Sequence, residues 1–342
     1  MTRGRARALV VVLAALHLLV LLAGFVAPYD PVDQARALPF APPVRLHVID
    51  ADGRFHPRPF VYALVPDPAT ADGYMEDRSR RFPVQMMVRG ARYSVLPGLE
   101  SNLHLVGVET PGRLFLLGTD GFGRDLLSRL LHGGRVSVGA GLLATLSALL
   151  IGMVLGTVAG FSGGRIDGGV MWAANLFMAV PWLYLLFAAR AALPLHIDTR
   201  ATFLLLVTVL GVVGWARPAR LIRGVVLSAR ERTYVLAARG FGANPLYLLR
   251  RHLLPHTFGV ALTQAGLLVP QYILAEVTLS FLGLGVGEPT PSWGTMLGSL
   301  QQYDVLTSYW WMFAPAVALV VTAVTYHAVT SAVHGRIRLV TT

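Results

Sequence analysis

The stretch VSVGAGLLATLSALLIGMVLGTVAG, residues 136–160, runs for 25 positions without a charged side chain. An α-helix rises 1.5 Å per residue, so about 20 apolar residues cross the roughly 30 Å hydrocarbon layer of a bilayer. The stretch therefore predicts a transmembrane helix. Gly152, Gly156 and Gly160 recur at every fourth position, which leaves one helix face nearly bare and predicts close packing against another helix, in this chain or in a second subunit.

Similar apolar runs lie on both sides of this stretch, and together they predict six transmembrane helices, over residues 8–27, 136–160, 170–192, 201–215, 258–284 and 309–332. The 342-residue chain is 54% hydrophobic and 14% charged, with a mean hydropathy of +0.58. A water-soluble domain of this size does not present so much apolar surface. The first run is longer than the core of a signal peptide and is followed by Pro28, so we interpret it as a retained helix. The predicted fold class is an all-α polytopic membrane protein.

The net charge of +11 is explained by where the arginines fall along the chain. They cluster at residues 3–7, 165, 217–251 and 336–338, all on one side of the six-helix topology, whereas Arg200 lies in a short loop on the other side. Cytoplasmic loops carry an excess of basic residues. Both termini are therefore predicted to be cytoplasmic, and the basic charge requires no nucleic acid as a partner.

Two residue types are missing, and each excludes a class of chemistry. The chain has no cysteine, so it has no disulfides, thiolate nucleophiles or cysteine-based metal sites. It also has no lysine, so all 29 basic residues counted as Lys or Arg are arginine. A P-loop needs its lysine to reach the nucleotide phosphates. Any ATP and Mg²⁺ must therefore bind to another chain, and we expect no cofactor in this one.

Between the first and second predicted spans lies a polar, proline-rich segment. Its sequence suggests two β-hairpins, one turning at DADG, residues 50–53, and one at RGA, residues 89–91. We divide the chain into residues 1–27, the N-terminus and first helix; residues 28–112, a small extracytoplasmic insertion containing β-structure; and residues 113–342, a core with five transmembrane helices.

The longest cytoplasmic loop of this topology, residues 217–256, contains the sequence YVLAARGFGANPLYLLRRHLLPH at its C-terminal end. Gly242 suits the positive φ that ends a helix, Asn244 suits the cap of the next helix, and Pro245 suits its first turn. Pro255 then marks a bend into the fifth span. These signals predict a helix, a hinge and a second helix, lined by small residues that allow another surface to approach.

This pattern resembles the cytoplasmic loop of the permease subunits of ABC importers, specifically the dipeptide and oligopeptide branch. The family pattern is Glu-Ala-Ala, three residues, Gly, about nine residues, an aliphatic residue, one residue and Leu-Pro; Leu236 stands where the family often has Glu. Residues 116–138 and 274–297 are similar to further segments of the same family. The resemblance implies that the residues that couple the chain to an ATPase are Leu236, Ala237, Ala238, Gly242, Ala243, Pro245, Leu254 and Pro255.

The resemblance implies a non-enzymatic transport subunit in a bacterial inner membrane, importing peptides or similar small solutes. Its expected partners are two ATP-binding cassette ATPase subunits, a second and different permease subunit, an extracytoplasmic solute-binding protein and membrane lipid. A simpler interpretation of residues 234–256 than an ATPase-coupling segment is an amphipathic loop that lies at the membrane interface and binds lipid.

Other polar residues suggest alternatives. Glu276 lies deep inside the fifth predicted span, where an uncompensated charge costs about 2.5 to 3.5 kcal/mol. It is a candidate for the translocation path or a subunit interface, or for a carboxyl that locks helices together, and an ion-coupled secondary transporter with Glu276 as its proton site is the alternative function. His252 and His256 have the spacing of a metal pair but no evident third ligand. Asp120, Arg124 and Asp125 are expected to begin a short interfacial helix.

Overall fold

The computed structural model describes residues 3–70, 72–96, 98–191 and 198–341, and helices dominate it. In chain order the α-helices are α1 (Arg3–Leu21), α2 (Ala23–Val26), α3 (Leu126–Ser162), α4 (Gly164–Ala179), α5 (Trp182–Ala191), α6 (Thr199–Gly214), α7 (Ala216–Arg230), α8 (Thr233–Gly240), α9 (Pro245–Tyr247), α10 (Leu254–Phe281), α11 (Trp293–Gly298), α12 (Tyr303–Ser308) and α13 (Ala314–Thr341). A π-helical turn covers Leu248–Leu253, and 3₁₀ turns cover Ser299–Gln301 and Trp310–Phe313.

Within the described residues, four helical stretches are long and apolar enough to cross a membrane: Leu126–Ser162, Thr199–Arg230, Pro245–Phe281 and Trp310–Ala332. The other two predicted spans are interrupted. The third, whose last residue 192 lies outside the described residues, breaks at Pro181 because the preceding Val180 is extended, as residues before proline prefer. The first is interrupted at Leu22, and its C-terminal end at Ala27 is extended before Pro28. The six predicted spans are thus not six continuous long helices.

The β-strands are β1 (His47–Ile49), β2 (Phe55–Pro66), β3 (Tyr74–Pro83), β4 (Gln85–Leu96) and β5 (Leu99–Gly107). They form an antiparallel sheet in the order β1-β2-β3 and a separate β4-β5 pair. The turn predicted at residues 50–53 does connect β1 and β2. Its first residue, Asp50, accepts hydrogen bonds from the backbone N–H groups of Asp52 and Arg54 through Oδ1.

The hairpin turn predicted at residues 89–91 is wrong, because these residues lie inside β4, which pairs with β5 on both sides of a register shift between Arg89 and Tyr93. Gly90 instead allows the ring of His104 on β5 to lie close to the β4 backbone, because a β-carbon on Gly90 would lie 2.7 Å from that ring. That ring is buried and bonds through Nε2 to the carbonyl oxygen of Ala91 at 2.9 Å. Glycine is thus required here by a side chain that crosses the strand, which alternation and turn signals do not reveal.

The chain divides into two compact units: one comprises Met1–Leu13, Val138–Glu276 and Thr322–Thr342, and the other Ala14–Ser137 and Val277–Val321. In the first unit, the glycines of α3 pack against α7. β-Carbons built on Gly152 and Gly156 would lie 2.8 Å from the Pro218 side chain and 2.9 Å from the Ala219 Cα. The helix packed on this glycine face is therefore in the same chain, which resolves the question that the sequence left open.

The second unit contains the β-strands and two apolar clusters. One cluster surrounds Trp311, Met312, Met296, Val305 and Leu126. The other joins Val61, Phe82 and Leu114 beneath the three-stranded sheet. The short helix expected to begin at residues 120–125 is not separate: those residues form a turn, and the helix after it is the first part of the 37-residue α3.

Asp125 caps the start of α3 from a buried position. Its Oδ2 accepts hydrogen bonds from the Ser128 backbone N–H at 2.8 Å and from the Ser128 hydroxyl at 2.5 Å, while Oδ1 has no hydrogen-bond partner among the described residues. Burial raises the pKa of Asp125 from 3.8 to about 7, and the bonds from Ser128 oppose this shift without reversing it.

Because its pKa is raised in the folded chain, Asp125 binds a proton more tightly there than in the unfolded chain. Its contribution to stability is therefore largest below pH 4 and is lost as the pH rises toward 7, by at most about 1.4 kcal/mol per pH unit. We expect the melting temperature in nanodiscs to fall less between pH 5 and pH 8 for Asp125→Asn than for the wild type. The exposed Asp304→Asn is the control and should follow the wild type; an identical loss in all three would contradict the assignment.

Candidate docking loop

The loop that follows α6 is built on the amphipathic helix α7. Ile222, Val226 and Ala229 form its buried face and pack with Leu253 from the π-helical turn. A guanidinium–carboxylate pair fixes α7 to α4, because Arg223 bonds to both oxygens of Asp167, with its terminal nitrogen 2.6 Å from Oδ2. The platform beneath the loop is therefore apolar inside and fastened at its edge by a two-point ion pair.

Helix α8 rests on this platform through one side only. Val235 is buried, with 3% of its surface exposed, while Leu236 on the next position is about half exposed. Ala237 is exposed, and Ala238 is partly buried. The small side chains leave the outer surface of α8 low, so another protein surface can approach its backbone closely.

A left-handed turn ends α8 and carries an exposed aromatic ring. Gly242 has φ of +84°, and its N–H donates to the Arg239 carbonyl oxygen at 3.0 Å. Ala243 donates to the carbonyl oxygen of Ala238 at 3.1 Å, which satisfies another carbonyl of the last helical turn. Phe241, which directly precedes Gly242, is 92% exposed. Leu236, Leu246 and Tyr247 on the same loop are also about half exposed, and a group of exposed apolar side chains, unlike a single one, is typical of a contact surface for another molecule.

The second helical piece begins as its residues predict. Asn244 caps α9 by accepting the Tyr247 backbone N–H at 2.7 Å, and Pro245 occupies the first turn. The π-helical turn follows, and the Leu254 N–H donates to the carbonyl oxygen of Leu249, five residues earlier. Pro255, which has no N–H to donate, comes directly after this wide turn at the start of α10. The predicted bend is thus a π-helical turn.

A polar contact ties α8 to α10. The Tyr234 hydroxyl lies 2.6 Å from Nε2 of His256, and the Tyr234 ring lies 5.8 Å from the ring of His252. His256 therefore makes a hydrogen bond and His252 makes an aromatic contact, and no group of three or more potential metal ligands occurs in the described part of the chain. Sequence reasoning missed Tyr234 and Phe241, although both flank the small-residue motif.

The structure brings most of the predicted coupling residues to the surface of this loop. Leu236, Ala237, Gly242 and Pro245 are exposed, and Ala238, Ala243 and Leu254 are partly buried. Glu276 is placed differently: it lies on α10 with a fully buried side chain. That burial favours a role in helix packing within the chain over a role at a water-filled surface.

Residues 152–339, more than half of the chain, match the family described as binding-protein-dependent transport system inner membrane component. The chain belongs to this family. It is 38% identical over 200 residues to the dipeptide transport system permease protein DppC of Bacillus subtilis strain 168, covering 58% of this chain and 60% of that protein. It is 36% identical to the oligopeptide transport system permease protein OppC of the same organism, covering 64% of this chain and 70% of that protein.

A third relative carries a different cargo in its name. The nickel transport system permease protein NikC of Escherichia coli K12 is 35% identical over 236 residues, covering 67% of this chain and 83% of that protein. The match to DppC spans less than two thirds of that protein's length. The matched family region contains the whole docking loop, from α7 to the start of α10.

Proposed function

We propose that this inner membrane component is a permease subunit of an ATP-driven ABC importer for peptides or similar small solutes. The observation that carries the proposal is Phe241, an exposed aromatic ring fixed beside a small-residue helix in the family-matched region. The chain supplies no lysine for a P-loop, so the ATPase belongs to a separate subunit. The names of the relatives give the ion-coupled alternative no support.

The proposed assembly contains two ATPase subunits, a second and different permease subunit, a solute-binding protein outside the membrane, and lipid. ATP and Mg²⁺ bind to the ATPase subunits. In the membrane we propose six crossings, with α1 and the broken α4–α5 pair added to the four long helical stretches, and both termini in the cytoplasm. The segment 28–112 is then extracytoplasmic, and the loop 217–256 faces the ATPases.

In this proposal α8 transmits motion from the ATPase to the membrane helices. Leu236 and Phe241 contact the ATPase, and the small surface at Ala237 and Ala238 allows its backbone to come close. The Tyr234–His256 contact links α8 to the first turn of α10. Displacement of α8 is thereby passed to a transmembrane helix, and alternating access follows from ATP binding in the partner chains.

Replacing Phe241 by alanine tests this function. A buried aromatic anchor at an interface contributes about 2 kcal/mol or more, so we expect the ATPase chain to bind about thirty-fold more weakly. The free chain should keep its melting temperature, because the ring makes little contact with its own fold. The measurement is the Kd between the nanodisc-embedded chain and the P-loop chain with which it co-purifies.

Phe55→Ala is the matched control, since this ring on β2 is also exposed, at 70%, and lies in the segment assigned to the other side of the membrane. It should leave the Kd unchanged. Equal affinity of the wild type and Phe241→Ala for the ATPase chain would contradict a docking role. Solute accumulation by the reconstituted chain without any partner would contradict the proposed function as a whole.

A further inference from the structure

A cavity of about 410 Å³ in the second unit contains two arginines that share a carboxylate. Its walls are apolar at Phe40, Phe122, Leu126, Met296 and Met312. Ligand sites commonly combine such apolar walls with a few convergent charged groups, and this volume is within their usual range.

The charged groups are the guanidinium groups of Arg124 and Arg129. Arg124 donates from Nη1 to Oε2 of Glu288 at 2.7 Å, and Arg129 donates from Nη2 to Oε1 of the same residue at 2.7 Å. Both guanidinium side chains are buried, with exposures of 9% and 2%. Two buried guanidinium groups converging on one carboxylate form a cradle for that functional group.

The second carboxylate of the cluster, Asp120, is a fixed part of the cradle. Its Oδ2 accepts from Nε of Arg124 at 2.7 Å, and its Oδ1 accepts from the backbone N–H groups of Phe122 and Arg124. Its side chain is 8% exposed. Asp120 therefore neutralises one guanidinium charge and orients that group, whichever acceptor binds the remaining N–H donors of the two arginines.

Glu288 differs in that its side chain is 47% exposed and lies in the connection between α10 and α11. It reaches the cradle from solvent, and returning its carboxylate to solvent leaves most of its surroundings unchanged. With Glu288 in solvent, Asp120 would have to offset both buried guanidinium charges, since its Oδ2 lies 2.7 Å from Nε of Arg124 and 3.5 Å from Nε of Arg129. A buried charge that is not fully compensated is destabilising. Another carboxylate in the same position preserves the charge balance.

We propose that the Arg124–Arg129 cradle is a binding site for the carboxylate of a small solute with an apolar side chain, and that Glu288 occupies the site when the solute is absent. The carboxylate replaces that of Glu288, and the apolar side chain enters the cavity between Phe122 and Met296. This inference deepens the proposed function. It depends on that function only in identifying the bound solute as transported cargo. A tethered competitor acts at an effective concentration in the millimolar range, so free carboxylates bind the wild type weakly.

Binding of N-acetyl-leucine to the full chain in nanodiscs tests the proposal, measured by calorimetry at low chloride. Removing the competitor increases the fraction of binding-competent sites, so Glu288→Gln should lower the Kd at least tenfold relative to the wild type. N-acetyl-leucine amide, which lacks the carboxylate, should not bind. Glu100→Gln, an equal charge change at an exposed position on β5, should behave like the wild type.

Thermal unfolding gives a second readout should Glu288→Gln prove unstable. Glu288→Asp shortens the tether by one methylene and is expected to give an intermediate Kd, and N-acetyl-leucine should raise the melting temperature of both variants in a concentration-dependent way. Equal Kd values for the wild type and both Glu288 variants, or equal binding of the amide, would overturn the proposal. These binding and unfolding measurements use no ATPase chain and no ion gradient. A failure of the proposed transport function would therefore be distinguishable from a failure of this binding site.

Discussion

Substituting Gly242 by proline is expected to abolish binding of the ATPase chain while leaving the protein in the membrane. Proline holds φ near −65°, whereas Gly242 has φ of +84°. Proline also removes the N–H that donates to the carbonyl oxygen of Arg239. The turn that positions Phe241 beside α8 therefore cannot form. The apolar stretches on either side, Thr199–Arg230 and Pro245–Phe281, are unchanged in length and hydropathy, so insertion should be normal.

Two alanine variants, one at Gly242 and one at Gly240, separate the effect of backbone strain from the effect of losing a glycine. β-Carbons built on Gly242 and Gly240 both meet open space, but Gly240 lies in α8 and Gly242 has a positive φ. Alanine at Gly242 should cost about 1 to 2 kcal/mol in the turn and weaken ATPase binding correspondingly. Alanine at Gly240 should not weaken it. Co-purification yields and Kd values of the three variants are the measurements, and wild-type binding by Gly242→Pro would show that this turn does not position the docking surface.

The docking loop could be predicted in detail because its signals are local. A cap, a first-turn proline and a positive-φ glycine each act within a few residues, and the structure has Asn244, Pro245 and Gly242 in those roles. The long apolar helices could also be predicted, from their continuous apolar runs. What the runs do not encode is where they break: residues 170–192 were predicted as one span, and Pro181 separates α4 from α5 because Val180 is extended.

Long-range polar contacts were beyond the reach of the sequence. Glu288 lies 164 positions from Arg124 in the chain, so no spacing rule connects them. The same applies to Gly90, which reads as a turn residue until the ring of His104 is seen to cross it. In both cases the deciding partner is brought in by tertiary packing, and a single sequence gives no signal of which distant residue it is.

Gly156→Ala is expected to destabilise the chain markedly, because the added methyl group meets backbone. A β-carbon on Gly156 would lie 2.9 Å from Cα and 3.0 Å from the carbonyl carbon of Ala219 on α7. Backbone atoms of a packed helix cannot rotate away as a side chain can, so the two helices must separate. Overpacking of this kind typically costs about 1 to 3 kcal/mol, and the loss of close contact along the glycine face adds to it.

Gly139→Ala on the same helix is the matched control, since a β-carbon there would meet nothing within 4 Å. Alanine is favoured over glycine in a helix by about 1 kcal/mol, so this variant should be at least as stable as the wild type. The measurement is thermal unfolding of the isolated chain in nanodiscs, without a second permease subunit. If Gly156→Ala melted like Gly139→Ala and instead failed only to assemble with that subunit, the glycine face would belong to the interface between subunits, and the packing of α3 on α7 would not be its reason.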